Sequence, residues 1–154
     1  MPVDVLTRIT IHRPPDVVSA FAADPSNAPD WYANIDAVEW LTPSPVGVGS
    51  RMAFQARFLG RRLSYTYEVV DYVAGVRLTM RTSQGPFSMQ TTYEWHDQGD
   101  GSTTMTLRNQ GEPSGFAAVT GQAMAVAMRR ANQKDLSRLK DLLETRDGPA
   151  TPDR

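Results

Sequence analysis

The sequence predicts an α+β domain: a strongly curved antiparallel sheet of about seven strands around one long C-terminal helix, with two short helices between the first two strands. Three observations carry this. From Arg51 to Gln110 apolar and polar residues alternate with period two, the pattern of antiparallel strands with one solvated face. Short glycine-bearing turns divide that stretch into consecutive hairpins. After Pro113, leucines, methionines and alanines recur at helical spacing to about Glu144. At 154 residues and 17.0 kDa the chain is long enough for one core without disulfides. One domain is expected over residues 1–145, with 146–154 a disordered tail.

Taken in order, Val3–His12 reads as the first strand. Pro14-Pro15-Asp16 ends it and starts a helix whose apolar stripe is Val17, Val18, Ala20 and Phe21. Asp24-Pro25 repeats the signal, an N-cap followed by proline at the first helical position, for a second short helix that closes at Pro29 and Trp31. Ile35–Leu41 is the second strand. The meander follows. Met52, Phe54, Ala56 and Phe58 share one face of the third strand, opposite Arg51, Gln55 and Arg57. Leu63, Tyr65, Tyr67 and Val69 do the same in the fourth, and Leu78 and Met80 in the fifth, against Arg77, Thr79 and Arg81. In the sixth, Phe87, Met89, Thr91, Tyr93 and Trp95 oppose Ser88, Gln90, Thr92, Glu94 and His96. Met105 and Leu107 mark the inner face of the seventh, Thr103–Gln110. Gly60, Ala74-Gly75, Gln84-Gly85-Pro86 and Gly99-Asp100-Gly101 supply the turns.

The long helix is predicted to begin at Ser114 as N-cap and to run about 45 Å. Its halves differ. Gly115, Ala117, Ala118, Gly121, Ala123, Ala125, Ala127 and Ala131 keep the first half thin, whereas Leu136, Leu139, Leu142 and Leu143 make the second bulky enough to seal one end of the core. Laid across a concave sheet, a thin half leaves a cavity; equally, alanines let helix and sheet pack closely.

Composition narrows the function. Hydrophobic residues are 40% and charged residues 21%, values of an ordinary folded domain. With 16 Lys+Arg against 17 Asp+Glu the net charge is −1, so no cationic surplus exists for a phosphate backbone, and nucleic acid is not an expected partner. The chain has no cysteine, which excludes a thiolate nucleophile and any Cys-ligated metal or cluster. The two histidines, His12 and His96, fall on polar faces of their strands and do not converge, so neither a metal nor another cofactor is expected. The N-terminal residues show no leader pattern, and no run approaches the ~18 apolar residues of a membrane span. A cytoplasmic protein, monomer or homodimer, without membrane insertion is expected. Val46-Gly47-Val48-Gly49-Ser50 precedes a strand rather than a helix and so reads as a turn, not a phosphate loop. Asp30, Asp36 and Glu39 read as surface charges, as do Arg129, Arg130 and Lys134 on the helix.

The order of elements, with Ile9-Thr10-Ile11-His12-Arg13-Pro14-Pro15-Asp16-Val17-Val18, Phe21, Asp24-Pro25, Pro29-Asp30-Trp31, Gly49, Phe58-Leu59-Gly60-Arg61, Gly85-Pro86-Phe87 and Asp135-Leu136-Ser137-Arg138-Leu139-Lys140, resembles the SRPBCC superfamily. This is the START-like, pollen-allergen-like helix-grip fold, and the likeness is greatest to its small bacterial polyketide cyclase/dehydrase branch, over about residues 3–144. The resemblance implies a small hydrophobic ligand of polyketide, lipid, isoprenoid or quinone type, held between sheet and helix. Carried onto this chain, the ligand-facing positions are Trp31, Phe54, Phe58, Tyr65, Tyr67, Met89, Thr91, Tyr93, Met105, Asn109, Met124 and Met128. The alternative it implies is a polyketide cyclase/aromatase, for which Tyr65, Tyr67, Tyr93 and Asn109 are the candidate catalytic groups. Cyclases of the superfamily place an arginine inside the pocket from the central strands. Here the matching strand offers Leu63, Tyr65, Tyr67 and Val69, a departure that leaves a loop residue, Arg129 or Arg130 to substitute.

Overall fold

Alternation along the first strand sets the frame. In the computed structural model, which describes residues 3–85, 88–112 and 121–147, β1 (Val3–Ile11) buries Val3, Val5 and Ile11 and exposes Asp4, Leu6 and Arg8. Pro14, extended, and Pro15, at the first helical position, then start α1 (Pro15–Ala22). Its buried face is Val18, Ser19 and Ala22, with Ala20 in solvent. The predicted stripe is therefore rotated. Ser19 Oγ donates to the Asp16 carbonyl at 3.4 Å, which satisfies the hydroxyl within the helix and lets it face inward. The second predicted helix is a 3-10 turn, Pro25–Asn27, joined to a single α-turn, α2 (Ala28–Trp31). Asp24 Oδ1 caps it by accepting from the Ser26 N–H at 2.9 Å.

Six further strands follow: β2 (Ile35–Trp40), β3 (Arg51–Phe58), β4 (Arg61–Val73), β5 (Arg77–Gln84), β6 (Ser88–Asp97) and β7 (Thr103–Glu112). All pair antiparallel in one sheet of order β1-β7-β6-β5-β4-β3-β2, so the first strand closes onto the last at one edge. Leu59 and Gly60 turn β3 into β4 with φ of 51° and 79°, the paired positive values of a tight two-residue hairpin. Register shifts between Ile35 and Ala37 in β2, and between Thr66 and Tyr67 and between Val69 and Asp71 in β4, bend the central strands. The alternation breaks in β5, where Leu78, Thr79 and Met80 are all buried, the Thr79 hydroxyl lying 3.3 Å from that of Thr92.

α3 (Gly121–Asp147) spans 27 residues, about 40 Å. Leu136, Leu139 and Leu143 are at most 2% exposed and seal the core over β1. The same end is tied by polar bonds: Glu144 Oε2 accepts from the His12 N–H at 2.8 Å, and Lys140 Nζ donates to both the Thr10 carbonyl and Glu144. Arg146 and Asp147 continue the helix beyond its predicted end, whereas the rest of the predicted tail lies outside the described residues. So do Phe87, the Ser114 cap and the small residues from Gly115 to Ala118. Among the described residues, no helix is long and apolar enough to cross a membrane.

Candidate functional site

Halfway along α3 the helix meets the sheet through Met128, Ala131, Asn132 and Asp135 rather than through leucine, and there the concave face is not filled. A cavity of about 160 Å³ lies between them. Phe54, Ala56 and Phe58 of β3 form one wall with Leu63, Tyr65 and Tyr67 of β4. Leu78, Met80 and Thr82 of β5, Met89, Thr91 and Tyr93 of β6, and Asn109 of β7 form the floor. Ala22, Ala23, Pro25 and Ala28 close the near end, with Tyr32, Asn34 and Ile35 beside them, and Arg57 edges the mouth while bonding both Asp36 oxygens at 2.9 and 3.0 Å.

Nine of the predicted positions line this space: Phe54, Phe58, Tyr65, Tyr67, Met89, Thr91, Tyr93, Asn109 and Met128. Trp31, Met105 and Met124 do not. Each is at most 1% exposed and is packing. Trp31 stands behind the wall, its ring centroid 4.2 Å from that of Tyr32 and 5.7 Å from that of Tyr93, so it holds both tyrosines in place. Met105 sits opposite Ile9 and Trp95 in the sheet, toward its closed edge.

The polar groups fall into two sets. Across the floor, Thr91 Oγ1 donates to Asn109 Oδ1 at 2.8 Å, which spends its only hydrogen, so Tyr67 must donate to Thr91 at 2.8 Å. Tyr67 thus has no hydrogen left for a ligand, while Asn109 Nδ2 and Tyr65 Oη make no hydrogen bond among the described residues. Under α2, the Tyr32 and Tyr93 hydroxyls share one bond of 2.6 Å, and the second hydrogen of the pair has no acceptor among the described residues. Burial pushes the Tyr67 phenol up to about 12 and raises Tyr32, Tyr65 and Tyr93 as well. All four are neutral donors at ordinary pH, so none acts there as a base.

The carboxyl group that lines the cavity is one that strand alternation does not reveal. Asp135 on α3 is 3% exposed and lines the cavity, and its Oδ1 accepts from the Ala33 N–H at 3.0 Å. Burial raises its carboxyl to about 6, against the opposing pull of that N–H and of Lys134 and Arg138. Asn132, one turn earlier and 6% exposed, has an Nδ2 with no partner among the described residues. The signal was present: Met124, Met128, Asn132, Asp135 and Leu139 follow at spacings of three and four, so two polar residues occupy a stripe otherwise apolar. Apart from Arg57 at the mouth, the strand positions that line the cavity carry no acid or base beyond tyrosine.

His12 and His96 are exposed, His96 beside Glu94 at 3.7 Å, and Arg129, Arg130 and Lys134 are in solvent. Among the described residues no three His, Cys, Asp or Glu side chains converge on a metal-sized space.

Comparison with known proteins gives a consistent picture. A family model described as polyketide cyclase / dehydrase and lipid transport matches residues 2–144. No curated protein matches the chain. Among solved structures, the Zhui aromatase/cyclase of Streptomyces sp. R1128 superposes with a TM-score of 0.80 at 17% identity, covering 98% of this chain and 99% of that one. A START superfamily protein of Mycobacterium smegmatis gives 0.79 at 15% identity over 92% and 97%. The ginseng major latex-like protein 151 of Panax ginseng gives 0.72 at 16% over 96% and 99%. At such identities the likeness is one of fold, the helix-grip architecture of a curved seven-stranded sheet and a long C-terminal helix.

Proposed function

This chain belongs to the polyketide cyclase / dehydrase and lipid transport family, and from that premise we propose that it holds one small hydrophobic molecule bearing a few oxygens in the cavity beneath α3. The observation that carries this reading is an interior space of about 160 Å³ walled by aromatic rings and thioethers, into which Tyr65, Asn109 and Asn132 bring polar groups that have no hydrogen-bond partner among the described residues. An apolar protein cavity of about 150 Å³ takes up a single aromatic ring, whereas drug-sized ligands occupy ~300–1,000 Å³. A ring-sized molecule therefore fits the cavity as it stands. Met80, Met89 and Met128, unbranched and adaptable, are the wall residues that yield to a longer one. The hydrogens of Tyr65, of the Tyr32–Tyr93 pair and of Asn109 that find no acceptor among the described residues favour carbonyl and hydroxyl oxygens over a plain hydrocarbon.

Native mass spectrometry of freshly purified protein, set against its denatured mass and an organic extract, tests this. The expected result is an apolar, oxygen-bearing species bound one per chain, absent from an Ala131→Trp variant whose indole fills the space. Bare protein from the wild type, with no rise in Tm across a panel of lipids, flavonoids and polyketide mimics, overturns it.

A second reading, cyclisation of a bound polyketide chain, is favoured by one feature, the buried carboxyl of Asp135 with its pKa of about 6. A group half-ionised near working pH suits proton transfer at the carbon between two carbonyls. Conversion of a poly-β-ketone thioester mimic to a cyclic product, lost in Asp135→Asn, distinguishes enzyme from carrier; recovery of the mimic unchanged excludes it.

A further inference from the structure

We infer that Asn132 and Asp135 form a two-point anchor at the α3 end of the cavity, selecting ligands that carry a hydroxyl donor and, one helical turn away, an oxygen acceptor. The inference rests on the cavity being a binding site and adds the class of molecule it prefers.

The two side chains lie three residues apart on α3, so they share a helix face with their β-carbons about 5–6 Å apart. Both line the cavity and both are more than nine-tenths buried, at 6% and 3% exposure. They are complementary in chemistry. An ionised carboxylate only accepts, and Asp135 spends Oδ1 on the Ala33 N–H while Oδ2 makes no hydrogen bond among the described residues. Asn132 Nδ2 donates two hydrogens and has no partner among them. Around these two, the described residues of α3 that line the cavity are Met128 and Ala131. Leaving the buried Asn132 donor without a partner costs more than an apolar side chain of the same size would, and Asp135 Oδ2 is an acceptor that the Ala33 N–H does not use. A molecule with both a hydroxyl and a carbonyl restores both bonds at once, whereas one lacking the hydroxyl leaves the carboxylate unmatched. Discrimination of that kind is steeper than a hydrophobic wall achieves alone.

Four ring-sized probes separate the terms by calorimetry: ethylbenzene, meta-ethylphenol with the hydroxyl but no carbonyl, meta-methoxyacetophenone with acceptors alone, and meta-hydroxyacetophenone with both hydroxyl and carbonyl. Wild-type protein is expected to bind meta-hydroxyacetophenone at least about tenfold more tightly than its methyl ether, the scale of a hydrogen bond to a charged acceptor. Asp135→Asn turns the acceptor into a donor at nearly constant shape. It should bring that ratio within about threefold while leaving ethylbenzene unchanged. Asn132→Leu should bring meta-hydroxyacetophenone down to the affinity of meta-ethylphenol. Because the four probes are compared on the wild type itself, the preference for the hydroxyl is read without any variant. Ethylbenzene binding without any preference for the hydroxyl, or a preference unmoved by Asp135→Asn, overturns the anchor and leaves the cavity reading intact. Failure of all four probes to bind overturns the cavity reading, and the anchor with it.

Discussion

Asp135 holds its carboxyl in a place that raises its pKa from 3.8 to about 6, and that shift has a sign in stability. The unfolded chain releases this proton near 3.8 and the folded chain keeps it to about 6. Over that window the native state binds more protons, and stability falls as pH rises. The stabilising share is complete below about 3.8 and gone above about 6. An asparagine does not titrate and still accepts from the Ala33 N–H. Asp135→Asn is therefore expected to gain about 2 kcal/mol over the wild type between about pH 4 and pH 7, measured by urea unfolding at several pH values. A stability difference flat across that range contradicts the burial argument. A carboxylate kept at such a cost marks the site more clearly than the tyrosines do. The aromatic and thioether walls were legible from the sequence because a strand with one wet face declares its inner residues by parity alone. Asp135 and Asn132 were not. Parity says nothing about a helix, and a hydrophilic residue on α3 reads as solvated until the stripe Met124, Met128, Leu139 is traced through it.

Among the elements, the strands were read to within a few residues, because each inner residue pays back its burial on one face only. The exceptions are local. Thr79 breaks parity in β5, Ser19 takes the inner face of α1 that Ala20 was expected to hold, and the second short helix is half 3-10. In each a hydroxyl or a cap satisfies itself nearby, an exchange that hydrophobic pattern does not register. Gly111 shows how tightly β7 is seated beside the cavity. A β-carbon there would lie 2.2 Å from the Ser88 carbonyl oxygen and 2.9 Å from the Met89 α-carbon, and no rotamer relieves contact with backbone. Gly111→Ala is expected to destabilise by about 2 kcal/mol or more, lowering the urea midpoint without changing the slope. Gly47→Ala, where the added carbon meets nothing within 4 Å, serves as the neutral comparison. Equal midpoints for the two variants contradict the close seating of β6 on β7.

At the scale of the whole molecule, one sheet edge and the leucine end of α3 make a closed core, while the middle of α3 stands off the bent strands and leaves room. The fold was legible because the order of elements and the turn chemistry agree with the hydrophobic pattern. The size of the cavity was not, since thin helix faces serve close packing and open space alike. The methionines offer the most direct test, because they divide between the two regions. Met80, Met89 and Met128 line the cavity, whereas Met52, Met105 and Met124 are buried elsewhere in the core. In a methyl-labelled sample titrated with meta-hydroxyacetophenone and followed by NMR, ring-current shifts are predicted at Met80, Met89 and Met128, with Met52, Met105 and Met124 unmoved. Saturating ligand that shifts none of the first three, or shifts both groups alike, contradicts a ligand site beneath α3.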